Sequence, residues 1–360
     1  MTKPTSVLVV RLSAIGDVIH ALPVLDALRD QLPGARIGWL VEELSAPLLE
    51  NHPALDRVYT IPRRRWRGKF RAMYRSEIRP FFRAVREEGW DASLDLQGIT
   101  KGGLAAWACG ARTRVGFAGP NSREVDFLFN NRRVRPEASD VHVTQQNLRL
   151  LEGLGLEVPR VPPRGRIGIR DAEREAIGAS LSGAGWKGEP LLAVNPGAGF
   201  ASKRWAPARF AELARLIAAR SGLRPIVLWG PKEEPMRDEI VSLLARERAF
   251  AAPPTSVREM ASLISLCKFF IGSDTGPSHL AGLFRVPVLT LFGGTDAQRN
   301  HPWTGGAADQ LAIQRDDLAC VPCWERTCPL KGDAHMACLT GLSPRDVYTR
   351  AEPWLATVLP

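Results

Sequence analysis

Short β-branched runs alternate with amphipathic stretches along this chain, and the alternation runs twice, broken once by a proline-rich segment. In the first run, residues 7–10, 37–41, 58–61 and 92–96 read as strands, with helices near 18–32, 76–89 and 137–154. Residues 157–168 hold three prolines and no helical period, which suits an interdomain linker. In the second run, 191–194, 225–229, 269–271 and 286–291 read as strands, with helices over 207–220, 233–247 and 277–284. Strands joined by helical crossovers lie parallel with right-handed connections. The simplest architecture is α/β, with two facing Rossmann-like, doubly wound domains over residues 1–160 and 161–342. Residues 343–360 read as a C-terminal helix, N-capped by Ser343, that packs back on the first domain.

With 360 residues, 45% of them apolar, the chain sustains two cores. No apolar run approaches the roughly 20 residues of a membrane-spanning helix, and residues 1–6 lead into the first strand without a signal-peptide core. The expected location is cytoplasmic. The net charge of +10 is concentrated in residues 63–83, which carry nine Lys/Arg against one acid, Glu77. Trp66, Phe70 and Tyr74 fall at i, i+4 and i+8, so a helix there would carry an aromatic stripe flanked by cations. Such a surface suits anionic lipid headgroups; nucleic acid is a competing partner, and an ordinary core stripe with solvated arginines is the plain alternative.

Ligands of open parallel sheets bind beyond the carboxyl ends of the strands, and four loops with site-like composition fall there. These are the loops that begin at Ser13, Asn195, Gly230 and Gly272. The last, Ile271-Gly-Ser-Asp-Thr-Gly-Pro-Ser-His279, is a strand-to-helix turn. Its glycines permit close backbone approach, and the free N–H groups and positive end of the next helix attract phosphate. A phosphorylated ligand is expected.

Three stretches together, Arg11-Leu-Ser-Ala-Ile-Gly-Asp-Val-Ile-His, Asn195-Pro-Gly-Ala-Gly with Ser202-Lys-Arg-Trp, and Ser273-Asp-Thr-Gly-Pro-Ser-His-Leu, resemble the ADP-heptose glycosyltransferases of lipopolysaccharide core assembly, glycosyltransferase family 9. The resemblance covers nearly the whole chain. Ile61-Pro-Arg-Arg-Arg-Trp-Arg, Asp95-Leu-Gln-Gly-Ile-Thr-Lys and Ser122-Arg-Glu narrow it to the heptosyltransferase I branch. It implies a GT-B-like fold and inverting transfer of L-glycero-D-manno-heptose from ADP-heptose to Kdo2-lipid A at the inner face of the cytoplasmic membrane, without nucleic acid as a partner and with no cofactor needed for catalysis. A later core sugar or a protein as acceptor is the alternative within the family. A sugar-nucleotide epimerase and a basic nucleic-acid-binding or membrane-surface-binding module are the alternatives outside it.

The chemistry calls for a base facing a cationic diphosphate clamp, because the leaving diphosphate gains charge while the acceptor hydroxyl loses a proton. By resemblance, Asp17 is the general base and Lys203 the diphosphate clamp, with Arg204 assisting. Ser13, Gly16, Gly197, Asp274, Thr275, Gly276 and His279 are the accompanying donor-site residues, and Glu234 holds the ribose, with Glu233 one register away. Asp17 also reads as a helix cap, Lys203 as a surface charge and His279 as a packing residue. Kdo2-lipid A carries carboxylates and phosphates, so Arg63, Arg64, Lys69, Gln97, Lys101 and Arg123 are the acceptor candidates.

Cys109 and Cys267 sit in apolar stretches and read as core. Cys320-x2-Cys323-x4-Cys328-x9-Cys338 has the spacing of a structural tetrathiolate site for zinc or iron, with free thiols or disulfides as alternatives. A dinucleotide fingerprint is excluded, because Leu12-Ser-Ala-Ile-Gly-Asp lacks the Gly-x-Gly-x-x-Gly pattern.

Overall fold

The computed structural model describes residues 2–359, apart from the side chain of Phe70. It divides into two compact units, 1–168 and 169–360. The first runs β1 (Ser6–Val10), α1 (Ile15–Gln31), β2 (Arg36–Glu42), β3 (Arg57–Ile61), α2 (Arg63–Trp66), α3 (Phe70–Met73), α4 (Arg79–Glu87), β4 (Ala92–Asp95), α5 (Thr100–Ala108), β5 (Thr113–Phe117), β6 (Arg132–Val134) and α6 (Val143–Arg149). The second opens with α7 (Asp171–Gly183), β7 (Leu191–Asn195), α8 (Pro207–Ser221), β8 (Arg224–Val227), α9 (Glu234–Leu243), β9 (Phe250–Ala251) and α10 (Val257–Leu266). It continues with β10 (Phe269–Ser273), α11 (Gly276–Leu283), β11 (Val288–Leu291), α12 (Ala297–Asn300), β12 (Gln310–Ile313), α13 (Ala337–Thr340) and α14 (Pro344–Val358).

Each unit holds one six-stranded sheet, in the orders β3-β2-β1-β4-β5-β6 and β12-β11-β10-β7-β8-β9, and all the pairings are parallel. Counted from its own first strand, each sheet has the order 3-2-1-4-5-6 of a dinucleotide-binding fold. The order reverses between β1 and β4 in one unit and between β7 and β10 in the other. At these switch points Val10 pairs with Asp95, and Asn195 with Gly272. Central strands β1, β7 and β10 are buried along their whole length, as parallel strands covered on both faces must be.

The expected helix over 137–154 is shorter in the structure. His142 caps α6 by accepting from Thr144 N–H at 3.1 Å, while the Asp140 carboxylate accepts from Glu137 N–H at 2.8 Å, so 137–142 satisfy their backbone in a turn and 150–154 close as a 3₁₀ turn. The aromatic stripe also requires correction. Gly68 at φ +72° separates α2 from α3, and a π-turn over 74–78 precedes α4, so Trp66 and Tyr74 share no continuous helix; the Phe70 side chain lies outside the described residues. Trp66 instead packs edge-on against Phe81 at 5.5 Å, and its indole donates to Glu77 at 3.0 Å. The C-terminal helix α14 buries Val347, Ala351 and Leu355 in the core of the second unit with α8. Among the described residues no helix is long and apolar enough to cross a membrane.

Candidate active site

In the second unit the loops after β7 and β10 meet around one buried carboxylate. Asp274 is 5% exposed, and its Oδ2 accepts from Lys203 Nζ at 2.6 Å and from the Thr295 hydroxyl at 2.7 Å. His279 Nε2 stands 3.5 Å from Oδ1. Burial alone would raise the Asp274 carboxyl, but the His279 hydrogen bond and the Lys203 ammonium outweigh it and hold the acid well below the ordinary carboxylate range. Thr275 precedes α11 without a side-chain cap; its hydroxyl accepts from Asn195 Nδ2 at 3.1 Å and donates to Ser273 O at 3.3 Å. The N-terminus of α11, starting at Gly276, therefore keeps its positive end uncapped beside the Lys203 ammonium, an arrangement suited to a phosphate. Gly272 is required by packing, since a Cβ there would lie 2.8 Å from the Phe270 ring and 3.1 Å from Asn195 O.

The loop after β8 distinguishes the two neighbouring acids. Glu233 is committed to the loop itself: its carboxylate accepts from Gly230 N–H at 2.9 Å and fills the space that a Cβ on Gly197 would need. Glu234, half-buried in the first turn of α9, makes no hydrogen bond or ion pair among the described residues and is the acid left to a ligand.

In the first unit the loop after β1 is held from several sides. Asp17 lies in the first turn of α1 and is 44% exposed; Oδ1 pairs with Arg11 Nη2 at 2.6 Å and Oδ2 accepts from Ala14 N–H at 3.0 Å. Asp17 is thus the third residue of α1 rather than the N-cap anticipated for it, its Oδ2 reaching back to the N–H of the cap residue Ala14, and each oxygen retains a lone pair. Gly16 shares the same helical turn. Gln97 is placed differently from the expectation of an acceptor ligand: Oε1 accepts from Leu12 N–H at 2.9 Å and Ser13 N–H at 3.3 Å, while Nε2 donates to Ser13 O at 3.0 Å. Its carboxamide pins the loop. Lys101 donates to the Ser13 hydroxyl at 2.7 Å and to Glu42 at 3.2 Å, and Arg63 donates to the same Glu42 at 2.8 Å. Beneath Gln97, Asn130 Nδ2 donates to both Asp95 and Asp126, and burial, followed by the Asp126 charge, pushes the Asp95 carboxyl up to about 7.

Arg64, Lys69 and Arg123 are exposed; the Arg64 backbone N–H donates to Glu43 and that of Arg123 to Gly98 O, while the side chain of Lys69 is solvated. Arg63, Arg64 and Arg67 line a cleft of ≈190 Å³ with Glu42 and Glu43. Cys320, Cys323, Cys328 and Cys338 are joined by no disulfide, and burial, followed by the charges of Cys323, Cys328 and Cys320, pushes the Cys338 thiol up; among the described residues no group of three or more His, Cys, Asp or Glu is already disposed as a metal site. Hydrogen bonds pin the loop. Cys323 and Trp324 N–H donate to Gly294 O, Ser202 N–H donates to Arg326 O, and Met336 N–H reaches Cys328 Sγ at 3.3 Å. The residues missed from sequence are Glu42, Arg11, Asn195 and Thr295; Glu42 and Asn195 close strands, so the strand-end rule was the signal that could have found them.

With this geometry in view, the comparisons with known proteins are specific. The family model "Glycosyltransferase family 9 (heptosyltransferase)" matches residues 78–333, most of the chain. The chain is similar to lipopolysaccharide heptosyltransferase 1 of Pseudomonas aeruginosa, 31% identical over 97% of this chain and 98% of the relative. It is similar to the protein of the same name from Escherichia coli K12, 30% identical over 81% of this chain and 88% of the relative. Among solved structures it matches E. coli heptosyltransferase WaaC with ADP at a TM-score of 0.73 and 25% identity, covering 97% of this chain and 99% of that one. The chain belongs to glycosyltransferase family 9, the heptosyltransferases.

Proposed function

We propose that the chain transfers L-glycero-D-manno-heptose from ADP-heptose to Kdo2-lipid A with inversion, building the lipopolysaccharide inner core. The observation that carries the donor half is the buried Lys203–Asp274 pair beside the uncapped N-terminus of α11. A leaving ADP gains charge as the glycosidic bond breaks, and a pre-set ammonium with helix N–H groups meets that charge without reorganising. Asp17 takes the proton of the acceptor hydroxyl as that oxygen attacks the anomeric carbon, and a single in-line displacement inverts the centre. Glu234 holds the ribose through its free carboxylate oxygens, and Thr275, Gly276 and His279 complete the phosphate and sugar contacts. Arg63, Arg64, Lys69, Lys101 and Arg123 meet the acceptor's carboxylates and phosphates.

The decisive experiment is transfer from ADP-L-glycero-β-D-manno-heptose to Kdo2-lipid A, followed by mass spectrometry, for wild type and Asp17→Ala. One added heptose with wild type and a loss of about 10²- to 10⁴-fold in the variant, with ADP binding unchanged, is the expected outcome. An active Asp17→Ala enzyme would remove Asp17 from the role of base.

The same unit offers a membrane-facing surface. Leu104 and Trp107 of α5 and Val125, Phe127 and Leu128 of the following turn are exposed large apolar side chains. They belong together, because Thr100 and Gly103, on the same face of α5, abut the turn: Val125 N–H donates to Thr100 Oγ1, and Gly103 leaves only 3.0 Å between a Cβ and Asp126 O. The opposite side of α5 (Ala105, Ala106, Cys109) shares one core with Trp66, Phe81 and Phe82 of the cationic segment, so cations and apolar residues cover one side of the sheet. That combination suits an anionic bilayer. Trp107→Ser with Leu128→Ser should weaken co-sedimentation with phosphatidylglycerol vesicles while leaving ADP binding intact; equal sedimentation would refute it.

A further inference from the structure

We infer that Glu42 is a positioning residue for the acceptor, setting Arg63 and Lys101 without touching the acceptor itself; this rests on the assignment of those two cations to the acceptor. Glu42 closes β2, and its side chain is only 12% exposed. Its Oε1 accepts from Arg63 Nη1 at 2.8 Å and Lys101 Nζ at 3.2 Å, and Oε2 lies 3.1 Å from the same Nη1. Its backbone N–H donates to Leu12 O at 2.9 Å, so the carboxylate is carried on backbone tied to the loop that leads to Asp17.

Two cations that converge on one oxygen repel each other when the anion between them is removed. Both side chains are long, and each loses rotamer entropy on being held. Glu42 imposes that ordering when the chain folds. It also leaves bonding capacity. An ammonium has three N–H donors, of which Ser13 and Glu42 take two from Lys101; a guanidinium has five, and the contacts of Arg63 with Glu42 use Nη1 alone. An incoming carboxylate or phosphate can thus join Glu42 on the remaining donors rather than displace it.

The test is steady-state kinetics of wild type, Glu42→Gln and Glu42→Asp, with Kdo2-lipid A and ADP-heptose varied in turn. Glu42→Gln is expected to raise the acceptor KM about tenfold with donor KM and ADP affinity unchanged, and Glu42→Asp to raise it less, since the charge is kept. In an Arg63→Gln background the further effect of Glu42→Gln should shrink, because one of its two clients is gone. If Glu42→Gln fails to fold, judged by a lost unfolding transition, Glu42→Asp and its cycle with Arg63→Gln decide. An unchanged or lowered acceptor KM, or equal rises for donor and acceptor, overturns the inference. Wild type that transfers no heptose to Kdo2-lipid A would fail the proposed function instead, so the two failures are separable.

Discussion

The two units place their charges in opposite ways on the same winding order. In the second, Asp274 and His279 are each 5% exposed, and Lys203 is matched to Asp274 at 2.6 Å. In the first, Arg63 is 50% exposed and Arg64 82%, and Asp17 stands 44% open beside its buried partner Arg11. The difference follows the ligands proposed for each. A diphosphate is small and invariant, so a buried, fully paired site can be completed in advance around it. A lipid-borne acceptor is large and carries several anions, and exposed cations on short helices accommodate it with little desolvation.

The sharpest way to break this contrast is Lys203→Ala. Removing one partner of a buried pair leaves the Asp274 charge to His279 and Thr295 alone, which should cost about 3–5 kcal/mol of stability in chemical denaturation. Lys203→Met with Asp274→Asn should restore much of that stability without restoring turnover; an unaltered unfolding midpoint for Lys203→Ala would mean the second unit is as tolerant as the first. Next in size, reversing charge at Arg63 and Arg64 should raise the acceptor KM about tenfold and leave stability within about 1 kcal/mol, because exposed pairs contribute little to folding. Matching effects on donor and acceptor KM would erase the division of labour.

A third test sharpens the comparison by finding a buried acid in the exposed unit. Asp95 is raised in the folded protein, so the native state binds its proton more tightly than the unfolded chain does. The resulting stabilisation is fully present below the ordinary carboxylate range and is lost as pH rises towards about 7. Asp95→Asn mimics the protonated acid, so the stability of wild type relative to this variant should decline between about pH 4 and 7 in urea unfolding. A difference that stays constant across that window would show that the pair shares no proton.

Sequence reading reached the loops proposed for the donor because glycine, a helix start and charged residues are packed into a few consecutive positions there, as in Ser273-Asp-Thr-Gly-Pro-Ser-His. The central strands were legible for a similar reason, since full burial leaves uninterrupted apolar runs such as Val7-Leu-Val-Val. Of the two edge strands of the first sheet, β3 was read and β6 was not: β6 is Arg-Arg-Val, whose place in the sheet depends on pairing with β5 rather than on its own composition. Gly68 ended a helix that periodicity alone extended through Tyr74. Glu42 was invisible because its partners lie 21 and 59 residues away. The cysteines were legible as a cluster, since Cys338 senses the charges of Cys323, Cys328 and Cys320, but spacing along a chain does not specify ligand geometry.

Their loop bears on the proposed donor site. The N–H and hydroxyl of Ser202, next to Lys203, are both bonded to carbonyls of the 320–328 segment, at Arg326 and Glu325, and the Arg326 guanidinium lies over the Phe200 ring at 4.9 Å. The freedom of the lysine-bearing loop is thus given up when the second unit folds, and a diphosphate that binds there does not have to extract it again.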